Sequence, residues 1–303
     1  MGMKNKSQTI GVLAQVGSCM LFGFSVLATK LGTEAYSMFT LLSWRFVLSA
    51  LVMNLMRAGG LMKIRLRGKR VLPLLCMALL QPVLYFVCET YGVTLVSAAE
   101  CGALYALIPV VTLTLSILLL GDRPRKLQKL GIVISVTGVA LISAVKWEGA
   151  AFSPLGYGLI LTAIVSDSLF VILSSRLKDF SSAEKTYVMS MMGAVVFTLC
   201  ALAEHGFTNT LPELLLAPLA SPQFLFSVLF LGIGCQICAF FLVNFAISRL
   251  GATRATSFVG LSVLVSVASG VVFLAEEFSM AQGAGTTLVL LGVYLSNREV
   301  SDR

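Results

Sequence analysis

Four ionisable side chains, Arg45, Glu89, Glu100 and Asp167, fall inside otherwise apolar stretches of this chain. A charge at the centre of a bilayer-spanning helix costs about 2.5–3.5 kcal/mol on insertion scales, so each needs a physical reason. Asp167 lies nearest the middle of its stretch, between Ser166 and Ser168. Low-dielectric surroundings favour the neutral form of a carboxylic acid, which suits a group that binds a cation or carries a proton. The plainer alternative is a protonated acid bonded to a nearby carbonyl. Gln81, Tyr85, Glu89 and Gly92 recur at three- and four-residue spacing and so share one helix face. That face suits a water-filled cavity; alternatively Glu89 snorkels to the headgroups. Glu100 is placed to meet Glu89 across the short Val93–Val96 connector, the two holding a proton or cation between them, or else to favour its own helix N-terminus. Arg45, in Trp44-Arg45-Phe46, reads as a structural partner for a carboxylate or a helix end. A second stripe, Gln236, Phe240 and Asn244, has the spacing of the first and reads as the opposing cavity wall. Tyr105 and Ser257 complete the candidate substrate-binding set.

The elements that must hold these residues are membrane helices. Hydrophobic residues make up 57% of the chain and charged ones 12%, against about 25% charged in a soluble domain. Spans of about 20 apolar residues fall at 10–29, 36–56, 71–93, 97–120, 127–145, 155–175, 187–203, 224–247, 255–275 and 279–296. The net charge of +8 comes from short turns between these spans, with no basic face interleaved with aromatics, which argues against nucleic-acid binding. With the N-terminus inside, only Lys30 and Lys146 fall outside and Arg45 in a span, leaving 19 of the 22 Lys and Arg on the inner face. Both termini are therefore expected in the cytoplasm of a multi-pass protein of the cell membrane. The first span is read as retained, because no small-residue cleavage site follows a shorter apolar core. All seven Cys lie in apolar runs and read as packing residues.

Two stretches echo each other. Ser97–Leu141 and Gly251–Leu295, slid by 154 residues, match at Ala98/Ala252, Leu107/Leu261, Leu120/Leu274, Gln128/Gln282, Gly131/Gly285 and Gly138/Gly292. The turn in the first copy, DRPRKLQK, is basic; its counterpart EEFSMAQ carries no Lys or Arg. Five spans per half put the two copies upside down relative to each other, as in many secondary transporters. The expected fold is thus all-α integral membrane: ten transmembrane helices as two inverted five-helix repeats, 1–150 and 151–303.

This layout resembles the EamA-type branch of the drug/metabolite transporter superfamily. The resemblance is carried by Phe22-Gly23 to Lys30, Arg45, the Tyr91-Gly92…Ser97-Ala98-Ala99 junction, Leu104 to Pro109, Gly121-Asp122 and the Gly131…Gly138 pair. Met38 stands where the family usually has proline, Phe22 and Ser168 where tryptophan is common, and Asp122 where glutamate is usual. The resemblance implies export of metabolites, amino acids or drugs, with import known among members. The expected activity is alternating-access transport of a small organic solute, driven by protons or by exchange, since no Walker lysine loop is present. The alternatives are import of a small cationic or zwitterionic metabolite, and a channel or scramblase. An intramembrane enzyme fits poorly, with one intramembrane aspartate and one His. The expected partners are a small-molecule substrate, the lipid bilayer and protons, in a monomer or homodimer. No catalytic residue, metal site or cofactor is expected. Cys235 and Cys238 lack a second pair, and Gly11, Gly17 and Gly23 read as helix-packing glycines, because no strand precedes them.

Overall fold

The computed structural model describes residues 2–120, 127, 130, 131, 133–138, 141, 153–251, 255, 258–275 and 279–297. Among them the chain is helical, without strands. The elements are α1 (Gly2–Ala35), α2 (Met38–Ala58), α3 (Leu72–Leu95), α4 (Ala98–Tyr105), α5 (Ile108–Leu120) and α6 (Pro154–Arg176). They continue as α7 (Ser182–Thr208), α8 (Leu211–Ala220), α9 (Pro222–Leu250), α10 (Val259–Phe273) and α11 (Met280–Asn297). Among the described residues six helices are long and apolar enough to cross a bilayer: α1, α2, α3, α6, α7 and α9. Their outward faces carry Leu51, Leu55, Val195, Leu199, Phe226 and Leu229, a surface that water would reject and acyl chains accept. The protein is a multi-pass membrane protein.

Local chemistry starts and breaks the helices. Ser37, Ser153 and Ser221 cap α2, α6 and α9 by accepting backbone N–H bonds. Ser97 with Glu100, and Ser181 with Glu184, form capping boxes at α4 and α7. The stretch expected as one helix over 97–120 is two, separated at Ala106 and Leu107. Pro109 has no N–H to offer the Tyr105 carbonyl, so the ladder breaks there. Similarly, α3 is interrupted at Gln81, whose φ of −130° and ψ of 109° are extended; Pro82 follows and disfavours helical geometry before it. In α9 a π-helical stretch, Phe230–Ala239, occupies the comparable place. The segment between His205 and Pro222, expected as a loop, holds α8, which receives a hydrogen bond from the Trp44 indole at the Leu214 carbonyl, 2.7 Å away.

Helices α2 and α7 run antiparallel. At one end Ser37 donates to Glu204 at 2.8 Å and Thr40 meets His205 at 2.8 Å. At the other, Arg57 donates to the Tyr187 hydroxyl at 3.1 Å, which donates to Asn54 at 2.9 Å. The residues described over 127–141 cross α11 in the same sense: Gly131 lies against Gly292, and a side chain on Gly138 would strike the Gly285 carbonyl at 2.7 Å. Two of the expected packing glycines are tight. Gly23 lies against Val265, and Gly11 sits between Arg249 and Leu250.

Candidate transport cavity

One cavity sits where α1, α2, α3, α4, α6, α9 and α10 converge, and it measures about 100 Å³. Six of the sequence candidates line it: Gln81, Tyr85, Glu89, Tyr105, Asp167 and Phe240. Glu100, Gln236 and Asn244 do not, and Ser257 lies outside the described residues.

The break in α3 turns Gln81 inward, and the helix that resumes at Tyr85 carries Tyr85 and Glu89 down the same face. Glu89 is buried and accepts a 3.0 Å bond from the Thr90 hydroxyl. Asp167, half-buried on α6, has no hydrogen-bonding partner among the described residues. Its neighbours Ser166 and Ser168 instead donate to the carbonyls of Leu80 (2.8 Å) and Ile108 (3.4 Å), fastening α6 to the two broken helices. Tyr85 and Tyr105 both line the cavity, and the Tyr105 oxygen is buried without a hydrogen bond.

Glu100 is consumed locally, not shared with Glu89. Its carboxylate accepts from the Ser97 N–H at 2.9 Å and from the Tyr157 hydroxyl at 2.7 Å, which ties α4 to the start of α6. Asn244 is likewise structural in its contacts. It accepts from Ser174 at 2.9 Å, donates to Thr186 (3.3 Å) and to the Phe240 carbonyl (3.0 Å), and through Ser174 connects to the buried Lys185 ammonium. Gln236 donates to Ser190 at 3.4 Å. Phe240 closes the α9 side of the cavity in edge contact with Phe22, their centroids 5.0 Å apart.

Arg45 departs furthest from expectation. It is 2% exposed, lines the cavity, and has no carboxylate within 4.0 Å among the described residues. Its guanidinium lies 4.0 Å from the centroid of the Phe86 ring, and its Nε has no partner. Desolvated stacking on an aromatic ring is worth about 2 kcal/mol, less than the roughly 2.5–3.5 kcal/mol cost of placing arginine at a helix centre. Glu89 and Asp167 share the cavity with it, beyond ion-pair reach. The residues that sequence reasoning missed are Gln15, Ser262 and Ser266. The only available signal was weak, since Ser and Gln occur throughout such helices. Among the described residues no group of His, Cys, Asp and Glu is arranged to hold a metal.

A cavity carrying an arginine and two carboxylic acids among mostly apolar side chains, where many membrane helices meet, fits a solute carrier. The chain belongs to the EamA-like transporter family, whose domain it matches twice, over residues 9–144 and 154–298. It is 30% identical over 297 residues to the uncharacterized transporter YcxC of Bacillus subtilis (strain 168), covering 97% of this chain and 95% of the relative. A probable terminal-alkyne amino-acid exporter of Streptantibioticus cattleyicolor is 25% identical over 280 residues, 91% of this chain and 89% of that protein. A crystal structure 20% identical in sequence shares the fold, with a TM-score of 0.68 over 97% of both chains. The protein is a transporter.

Proposed function

We propose that this transporter moves a small organic solute by alternating access, with the solute seated in the cavity between the two repeats and proton movement or solute exchange supplying the drive. The observation that carries the reading is the Asp167 carboxylate, which lines the cavity with Arg45 and Glu89 and has no hydrogen-bonding partner among the described residues. A charge this far along a membrane helix without a partner is costly, so the natural occupant is a proton or a cationic group.

Two antiparallel crossings support an inverted pair of five-helix units, 1–150 and 151–303, with ten spans in all. They are α2 against α7, and the glycine crossing in which Gly131 meets Gly292 while Gly138 meets Gly285. A two-fold axis lying in the membrane would generate both. The cavity volume of about 100 Å³ is below the roughly 150 Å³ that admits benzene in an engineered protein cavity. That size favours a metabolite or amino acid over a drug-sized molecule. Export is the favoured direction, on the name of one relative. The basic loop 59–71 and the two termini belong on the cytoplasmic side.

Two experiments test this. In proteoliposomes, solute movement should saturate with concentration and follow an imposed pH gradient or a counter-solute; unsaturable, channel-like flux would reject alternating access. In a cysteine-free background, an impermeant maleimide should label Lys63→Cys only from the cytoplasmic side and Phe207→Cys only from the opposite one. Labelling of both from one face would remove the inverted arrangement.

A further inference from the structure

We propose that a cleft beside the loop 59–71 is a binding site for the phosphate of an anionic phospholipid, held by Arg57, Arg65 and Arg67. The site lies apart from the cavity and is independent of the transport reading above.

The loop joins α2 to α3, and its middle alternates in burial. Met62, Ile64 and Leu66 are partly buried and pack on the core that includes Phe180 and Tyr187, whereas Lys63, Arg65 and Arg67 are exposed. One side chain on α7 fastens the loop: the Glu184 carboxylate accepts from the Arg65 backbone N–H at 2.9 Å and from the Lys69 ammonium at 2.7 Å. A third bond, from the Ser181 N–H at 2.8 Å, belongs to the capping box of α7. Glu184 is thus fully engaged with the loop backbone, Lys69 and its own helix end. Arg57, in the last turn of α2, is held in place by donating to the Tyr187 hydroxyl at 3.1 Å.

Arg57, Arg65 and Arg67, with Ile64 and Leu66, line a cleft of about 440 Å³. None of the three guanidinium groups has a carboxylate within 4.0 Å among the described residues. Three like charges around one cleft repel one another, and an anion between them relieves this. A guanidinium matches a phosphate with two parallel N–H bonds. Position selects the source of that phosphate. The cleft lies at the end of the spanning helix α2, and Leu55 and Leu61, two residues before Arg57 and four after it, are exposed. These leucines offer acyl chains a surface, and Ile64 and Leu66 give the cleft an apolar wall for the glycerol end of the chains. A free phosphate would use the arginines and leave the apolar surface wet. Basic residues at the membrane surface each add attraction for anionic headgroups.

The test titrates the purified full chain in detergent with phosphatidylglycerol or phosphatidylcholine, and native mass spectrometry counts the bound lipid. Phosphatidylglycerol should bind saturably and phosphatidylcholine much more weakly, and inorganic phosphate in large excess should not displace the bound lipid. Changing Arg65→Gln and Arg67→Gln together should weaken phosphatidylglycerol binding about 30-fold, roughly a factor of five for each charge. Neither side chain forms an ion pair in the protein, so melting temperature without lipid should hold, which shows that the variant is folded. The control changes Lys63→Gln and Arg70→Gln together, taking the same charge from the same loop but from residues that do not line the cleft. It should weaken binding about threefold at most. Unchanged binding after the Arg65 and Arg67 substitutions would overturn the site. An equal loss in the control would overturn it too, since charge anywhere on the loop would then suffice. Equal binding of phosphatidylcholine would overturn selection of an anionic headgroup, and displacement by inorganic phosphate would overturn the lipid in favour of a free phosphate.

Discussion

Helices α3 and α9 present the same pattern of residues and put it to different use. On α3 the stripe is Gln81, Tyr85, Glu89; on α9 it is Gln236, Phe240, Asn244, each residue 155 positions further on. Both helices are irregular beside their glutamine, α3 at an extended residue and α9 through a π-helical stretch. On α9 the polar groups turn towards α6 and α7 and are bonded there to Ser174, Thr186 and Ser190. On α3 they line the cavity; the side-chain oxygens of Gln81 and of Gln236 are alike in being buried without a partner. One copy of the pattern has become scaffold and the other has kept its polar groups available.

Substitutions break that contrast in order of severity. The largest effect should come from Asp167→Asn on α6, the helix packed between the two stripes. It should abolish gradient-driven transport in proteoliposomes, a loss of 100-fold or more on the order of removing a proton carrier, with melting temperature unchanged. Next, Asn244→Ala on α9 should cost about 2–4 kcal/mol of stability, because it orphans buried partners around Ser174 and Lys185. Thermal unfolding in detergent reads it, and KM of the surviving protein should hold. Glu89→Gln on α3 should do the converse: roughly tenfold lower kcat/KM with stability within about 1 kcal/mol of wild type. Smallest and most diagnostic is the exchange of the middle residues. Tyr85→Phe should change KM by only about two- to fivefold, the loss of one neutral hydrogen bond. Phe240→Tyr should instead lower stability by about 1–3 kcal/mol, since its hydroxyl enters an aromatic cluster. If Asn244→Ala altered KM while Glu89→Gln and Tyr85→Phe altered only melting, the assignment of the two stripes would be reversed.

Much of this was legible in the residues, and the exceptions have physical causes. Helical period puts Tyr85 and Glu89 on one face of the unbroken part of α3, whereas Gln81 reaches the cavity only through the break before Pro82, and Gly92 packs against Ile160 instead. Spacing could not say whether a polar face meets a cavity or other polar side chains, so Asn244 was expected at the wall and sits instead among Ser174 and Thr186. Glu100 was decidable: Ser97 three residues before it is a capping-box signature, and the box forms. Pro109 was an equally visible reason to split the helix over 97–120. Arg45 was not decidable, since whether a mid-helix arginine finds a carboxylate depends on how distant helices pack. The apolar run of α8, flanked and interrupted by proline, is too short to span and so passed for loop.

The bond from the Trp44 indole to the Leu214 carbonyl gives the protein its own optical reporter. Trp44 is one of two tryptophans in the chain and adjoins Arg45. With Trp147→Phe in place, emission from the remaining indole would register any separation of α8 from α2 in real time, without an attached dye.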